Sequence, residues 1–356
     1  MSQFLRPNVA ELTPYVPGEQ PRDGAAIKLN TNENPYPPSP RVVSALKKSI
    51  GRSLRLYPEP LADTLRAAAA FAYGVKAENV LAGNGSDELL AMLLRAFVAP
   101  GGQVAFPVPT YSLYDTLALI HGAEPLRVDY APDFSLPPEL FSRSAALTFL
   151  CNPNSPSGTL VPPGDIRRLA RSLCGLLVVD EAYIDFAETE GASALPLIRE
   201  LPNLIVLRTF SKSFSLAGMR IGLAFGPEAL IAGLAKVKDS YNLNRLSIVA
   251  AAAALEDLPW MRRNARRIQR TRARMTRGLE KLGYQVPPSH ANFVLARKPG
   301  RNLRGVYEAL KARNILVRHF DVPALRDSLR ISVGTPQEIE ILLRELGNLP
   351  DGNAPV

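Results

Sequence analysis

The chain has 356 residues, of which 46% are hydrophobic and 21% charged, with a formal net charge of +9. This is the balance of an ordinary globular protein, long enough for one large domain and a smaller companion. No apolar run reaches the roughly 18 residues of a membrane span. Cys151 and Cys174 make no disulfide framework and fit a reducing cytosol. His121, His290 and His319 lack ligand spacing, so no metal is expected. The stretch from Met1 to Pro7 lacks the apolar core of a signal peptide, which points to the cytoplasm.

Residues 1–40 read as a Pro-rich N-terminal arm, too irregular for a core of its own. Within it, Lys28-Leu29-Asn30-Thr31-Asn32-Glu33-Asn34-Pro35-Tyr36 is either a turn cluster or a segment that closes over a ligand site. An amphipathic helix is expected from Ser39 to Ile50 and another from Leu61 to Tyr73, separated by a Pro-interrupted stretch around Tyr57. Val80 to Leu90 reads as strand, glycine turn and helix start. Gly85 or Ser86 can cap that helix, Asp87 and Glu88 suit its positive end, and Leu89, Leu90, Leu93 and Leu94 supply its buried stripe. Such a helix start is a natural phosphate cradle.

Strand-like runs follow at Gln103–Phe106, Pro125–Val128, Ala145–Cys151, Leu176–Val179, Leu204–Leu207 and Ile221–Phe225. They are continuous rather than alternating, which marks strands covered on both faces. The expected fold over 41–258 is therefore α/β, with a mostly parallel sheet flanked by helices. Three runs end in polar clusters: Pro109-Thr110-Tyr111, Asn152 to Gly158, and Asp180-Glu181-Ala182-Tyr183. Ligands bind beyond the carboxyl ends of such strands, so these clusters should converge.

Between Leu207 and Ile221, a single Lys212 stands among Thr209, Ser211, Ser213 and Ser215, with Arg220 further on. A strand–loop–strand with a solvated lysine accounts for this. So does carbonyl–amine chemistry, in which a lysine forms an imine with an aldehyde cofactor while hydroxyls and an arginine hold its phosphate.

Residues 259–356 read as a connector helix and a smaller α+β C-terminal domain. Its strands are expected at Asn292–Leu295, Ile315–Arg318 and Leu329–Val333, and its helices at 302–313 and 336–347. The connector carries most of the excess charge, from Arg262 to Arg277. Met261, Ala265, Ile268, Met275 and Leu279 interrupt the arginines at helical spacing, so most of them should line a solvated face. No nucleic-acid motif or aromatic interleaving accompanies them, and neither nucleic acid nor membrane is expected as a partner.

Taken in order, these segments resemble the fold-type I aminotransferases of the aspartate aminotransferase superfamily, which use pyridoxal 5'-phosphate. The closest likeness is to the histidinol-phosphate aminotransferases. It runs from Leu12-Thr13-Pro14-Tyr15-Val16-Pro17-Gly18 to Leu329-Arg330-Ile331-Ser332-Val333-Gly334-Thr335.

The resemblance implies that 41–258 binds the cofactor and that Lys212 holds it as an imine and later moves a proton. Asp180 would pair with the pyridinium nitrogen, Tyr183 with the phenolic oxygen, and Tyr111 would stack on the ring. Gly85, Ser86, Asp87, Thr209, Ser211 and Arg220 would hold the phosphate. Tyr57 would reach across a homodimer to the neighbouring subunit's phosphate. Arg330 would grip the substrate's anionic group, with Tyr15, Asn32 or Asn34, and Asn292 as further contacts.

One motif departs from the family: its Asn-Asn-Pro-Thr-Gly is here Asn154-Ser155-Pro156-Ser157-Gly158. Ser155 replaces an amide, so its bond to the phenolic oxygen should pass to Asn154, Asn152 or water. The implied substrates are a small-molecule amine and a 2-oxo acid, and the implied reaction is transamination between L-histidinol phosphate and 2-oxoglutarate in histidine biosynthesis. The alternatives are transamination of aromatic or other amino acids and decarboxylation of threonine phosphate for cobalamin synthesis. A non-catalytic regulator would need a DNA-binding domain for which the arm leaves no room.

Overall fold

The structure, a computed structural model, describes residues 4–12, 18–20, 26–142 and 144–349. Tyr15 lies outside the described residues. A short strand in the arm, β1 (Ile27–Lys28), precedes the seven strands of the main sheet. These are β2 (Val80–Gly83), β3 (Gln103–Val108), β4 (Glu124–Asp129), β5 (Leu147–Cys151), β6 (Leu176–Asp180), β7 (Leu204–Thr209) and β8 (Gly222–Phe225). Their spatial order is β2-β8-β7-β6-β5-β3-β4. All neighbours are parallel except at β8, which runs antiparallel to both β2 and β7. The exception follows from the link: residues 210–221 return the chain directly, without the crossover helix that parallel pairing requires.

The continuous apolar runs have the consequence expected of them. On β6, Leu177 and Val179 enter one hydrophobic cluster while Leu176 and Val178 enter another on the opposite face. Helices α1 (Pro7–Ala10), α2 (Pro40–Ser49), α3 (Asp63–Tyr73), α4 (Ser86–Phe97), α5 (Leu113–His121), α6 (Pro163–Ser172), α7 (Glu228–Ala235) and α8 (Arg245–Leu255) occur within this region. The start of α2 shows how local chemistry fixes a boundary: Ser39 accepts a hydrogen bond from the Arg41 N–H, and Pro40 opens the first turn.

The connector α9 (Leu258–Lys281) buries Met261, Ala265, Ile268, Met275 and Leu279 along one stripe. Most of its arginines face solvent, but Arg272 is 5% exposed. It donates to the carbonyls of Phe186 and Ala291 and pairs with Glu188, which satisfies the buried guanidinium. The C-terminal region contains β9 (Phe293–Arg297), α10 (Arg304–Lys311), β10 (Ile315–Leu316), β11 (Arg318–His319), β12 (Ser328–Ser332) and α11 (Pro336–Gly347). The strand expected at Ile315–Arg318 is divided. Its first half, β10, pairs in parallel with β1 of the arm, whereas β11 joins the three-stranded sheet β11-β12-β9. The arm is thereby stitched into the C-terminal region, with Leu29 donating to the Leu316 carbonyl and accepting from the Ser332 N–H. Among the described residues no helix is long and apolar enough to cross a membrane.

Candidate active site

The carboxyl ends of β5, β6 and β7, the start of α4, the arm and β12 enclose a cavity of about 240 Å³. Its floor is the loop after β7. Phe210 and Phe214 pack with their rings tilted by 36° and, with Leu216 and Ile221, anchor that loop in the core. Backbone bonds from Phe210 N to Ile221 O and from Leu216 N to Phe210 O close it. Asn34 donates to the carbonyls of both Lys212 and Ser213, and Ser213 donates to Asp185. Lys212 is thus held by its backbone, and its Nζ donates to the Thr31 carbonyl at 3.2 Å. Burial, reinforced by the Arg330 charge, brings its pKa down to about 8.

Asp180 ends β6 and is 3% exposed. Tyr114 Oη donates to one carboxylate oxygen at 2.9 Å and the Ala182 N–H to the other at 3.2 Å. No ion pair reaches Asp180 among the described residues, and burial raises its pKa to about 6. A buried carboxylate in this condition is matched to a cationic partner inside the cavity. Tyr183 stands beside it, its pKa pushed up to about 12 by burial, with the Arg330 charge pulling the other way.

At the opposite wall, Arg220 adopts a left-handed backbone conformation, with φ of 51°. Its guanidinium pairs with Asp87 at 3.1 Å and donates to Ser211 Oγ at 3.5 Å. A side chain at Gly85 would place its Cβ 2.6 Å from Arg220 Nη2, and one at Gly222 would place it 2.6 Å from the Ser86 nitrogen. The two glycines therefore allow an arginine to close on a helix N-terminus, and the result is an anion cradle. The Asp87 carboxylate occupies that cradle from the side, accepting also from Tyr111 Oη. Its backbone N–H, not its side chain, suits a phosphate.

Of the residues singled out from sequence, Asn32, Ser86, Asp87, Tyr111, Asp180, Tyr183, Thr209, Ser211, Lys212, Arg220 and Arg330 line this one cavity. Others do not. Asn154 spends its amide on Ser157 Oγ of its own loop and on Pro109 O and Thr110 Oγ1 of the segment after β3. Asn152 is likewise committed to the backbone of Val161. Neither takes over the bond expected of the missing asparagine, and Ser155 itself accepts from Arg330 Nη1 at 3.2 Å. Asn292 stands behind the cavity wall, donating to the Asn32 carbonyl. Tyr57 is 76% exposed and stacks on Tyr241, away from the cavity of its own chain.

The sequence reading missed Tyr114, whose position depends on how α5 lies against β6. It also missed Arg318, which lines the cavity and is the register partner of Arg330 across β11–β12. A lysine with a lowered pKa, a buried carboxylate with no ion pair among the described residues, and an anion cradle in one cavity define a pyridoxal-phosphate-dependent enzyme. The site fits that cofactor part by part: amine for aldehyde, carboxylate for pyridinium, cradle for phosphate.

The chain belongs to the aminotransferase class I and II family, whose family model matches residues 25–346. It is 46% identical over 351 residues to histidinol-phosphate aminotransferase 1 of Trichormus variabilis, covering 98% of this chain and 99% of that protein. It is 48% identical over 351 residues to the histidinol-phosphate aminotransferase of a Geobacter species, with the same coverage of 98% and 99%. The crystal structure of histidinol-phosphate aminotransferase from Sinorhizobium meliloti in complex with pyridoxal-5'-phosphate matches with a TM-score of 0.88 at 27% identity over 97% of each chain.

Proposed function

We propose that this chain transfers the amino group of L-histidinol phosphate to 2-oxoglutarate. The carrying observation is that Lys212 shares one cavity with two guanidiniums, Arg330 and Arg318, on paired strands. One end of the site handles a proton and the other an anion. Planar guanidiniums accept carboxylate or phosphate in the same fork, so a single grip can serve both substrates in turn. The relatives named above support this choice of substrate.

Bound pyridoxal phosphate supplies an aldehyde for the amine and a ring that takes up electrons from the substrate carbon. The chain's residues do the rest. Lys212, its pKa brought down to about 8, would take the proton from the substrate Cα and deliver it to the carbon that the cofactor's aldehyde supplies, on the other side of the amino nitrogen. Asp180 would keep the ring nitrogen protonated, and Tyr183 would donate to the phenolic oxygen. Arg220, Ser211 and the first N–H groups of α4 receive the phosphate. The Arg220–Asp87 pair is no barrier to this: both side chains are nearly half exposed, and such pairs are worth at most about 1 kcal/mol. Charge-assisted bonds to a phosphate contribute about 1.5–3 kcal/mol each.

A second reading, transamination of aromatic amino acids, is favoured by an adjoining recess of about 350 Å³ lined by Val108, Pro109, Phe320, Val322 and Leu325, with Tyr111, Arg318 and Arg330 on its shared wall. The protein acts as a homodimer in the cytoplasm. Supporting this, Ile50, Leu54, Leu56, Tyr57, Leu61 and Phe71 are all exposed along one stretch of chain, and both cysteines are free.

The test is a half-reaction. The cofactor-loaded protein is mixed with histidinol phosphate, without an oxo acid, and its visible absorbance followed. Loss of the visible band is expected. Conversion by phenylalanine but not histidinol phosphate would select the second reading, and release of carbon dioxide from threonine phosphate would replace both.

A further inference from the structure

Asn32 lines the cavity, and both ends of its side-chain amide are engaged. Its Oδ1 accepts from Ser332 Oγ at 3.0 Å, its own N–H donates to the same Oγ at 2.9 Å, and its Nδ2 donates to Tyr183 Oη at 3.1 Å. Asn292 holds the Asn32 carbonyl at 2.9 Å. The residue is 2% exposed and has φ of 56°, a left-handed conformation that asparagine tolerates better than most residues. Four bonds and an unusual backbone fix one amide against one phenol.

A tyrosine hydroxyl has a single proton and two acceptor sites. Because Asn32 donates to it, one acceptor site is filled and the proton is left for another acceptor. We propose that Asn32 is a positioning residue, oriented by Ser332, which turns the Tyr183 hydroxyl proton into the cavity toward the phenolic oxygen of the bound cofactor. This rests on the reading of the site as a pyridoxal-phosphate site. It also answers the departure at Ser155. Both nearby asparagines are committed elsewhere, and Ser155, which accepts from Arg330, is shorter than the amide it replaces, so the direction of the Tyr183 proton matters more. Ser332 lies two residues beyond Arg330 on β12, hence on the same face of the strand. The substrate grip and the orientation of Tyr183 therefore share one strand.

A donor on the phenolic oxygen withdraws negative charge from the ring and lowers the proton affinity of the Lys212 nitrogen in the loaded protein. The pH midpoint of the cofactor's visible absorbance reads that affinity without turnover. Asn32→Asp keeps the shape but can only accept, so it should turn the Tyr183 proton away and raise the midpoint by about one unit, a tenfold change in proton affinity. Asn32→Gly is neutral and suits positive φ; it and Ser332→Ala should raise the midpoint by less. In a Tyr183→Phe background, Asn32→Gly should add nothing. An unchanged midpoint in Asn32→Asp and Asn32→Gly, with only KM for the substrates raised, makes Asn32 a substrate contact and overturns the proposal. An Asn32→Gly shift that survives in Tyr183→Phe also overturns it. Should both Asn32 variants fail to fold, Ser332→Ala decides alone, and no shift there is fatal. A wild type that takes up no cofactor defeats the functional reading itself, which separates the two failures.

Discussion

Lys212 needs to be neutral to attack an aldehyde, and an ordinary lysine is protonated at neutral pH. Its pKa of about 8 lies below the ordinary lysine value of 10.5, so the neutral fraction grows as pH rises toward 8 and changes little well above it. The rate at which the cofactor-free protein captures pyridoxal phosphate should therefore climb about tenfold per pH unit below 8 and then level off. Stopped-flow absorbance measures this; a climb continuing to pH 10 would assign an ordinary, exposed amine. Asp180 moves in the opposite sense. Its pKa is raised to about 6, so it is ionised and able to hold a cationic ring only above that value, and cofactor affinity should fall as pH drops through 6. Tyr114→Phe removes a donor to the carboxylate, which raises the pKa further and shifts that fall to higher pH. At pH 7 the variant should bind pyridoxal phosphate about tenfold more weakly, consistent with the loss of one charge-assisted hydrogen bond. Equilibrium titration across pH 5.5 to 8 checks both the size and the displacement. The lining of the cavity was legible where a motif is local in sequence, as with Lys212, Asp180, Tyr183 and Arg220. Tyr114 and Arg318 were not legible, because they reach the site through the packing of a helix and the register of a hairpin. Asn154 and Asn292 stand outside the cavity lining for the same reason: packing spends the amide of one on Ser157 and the segment after β3, and that of the other on the Asn32 carbonyl.

The loop from β7 to β8 is held from beneath by a buried charge network. Arg208 pairs with Glu181 at 3.0 Å and with Asp185 at 2.8 Å, and the other oxygen of Asp185 receives the Ser213 hydroxyl, one residue after Lys212. Asp185→Ala leaves the buried Arg208 with Glu181 as its one charged partner among the described residues and frees Ser213. It should destabilise the cofactor-free protein by about 2 to 3 kcal/mol, less than the cost of stranding a buried charge completely, because Glu181 remains. Denaturant unfolding gives the figure. A change within 0.5 kcal/mol, with unaltered capture of the cofactor, would mean that the aromatic anchors Phe210 and Phe214 suffice to hold the loop. The strands around it were readable from their apolar runs, since burial on both faces leaves no polar positions to alternate. The direction of β8 was not, because pairing sense depends on the path of the link and not on the strand's own residues. The division at Val317 was hidden likewise: β10 is a strand only because the arm lies beside it.

At the scale of the whole molecule, Tyr57 poses the sharpest question. It is far more exposed than any residue in the cavity, stacked on Tyr241 at 4.5 Å, and its neighbours Leu54, Leu56 and Leu61 are exposed with it. A lone apolar side chain at the surface needs no explanation, but a run of them marks a contact face. If two chains pair through it, Tyr57 of one completes the phosphate cradle of the other, and each site draws on two subunits. Mixing variants tests this directly. Lys212→Ala alone should be inactive, and Tyr57→Phe alone should bind the cofactor weakly. In a hybrid of the two, one site combines both defects. The other joins an intact Lys212 to an intact Tyr57 from the partner, and is wild type. After the two proteins are unfolded and refolded together, sites with native cofactor affinity should reappear, at about one in four for random pairing of equal amounts. If each chain supplied its own Tyr57, no mixture could restore such a site, and the titration would show only the two parental affinities.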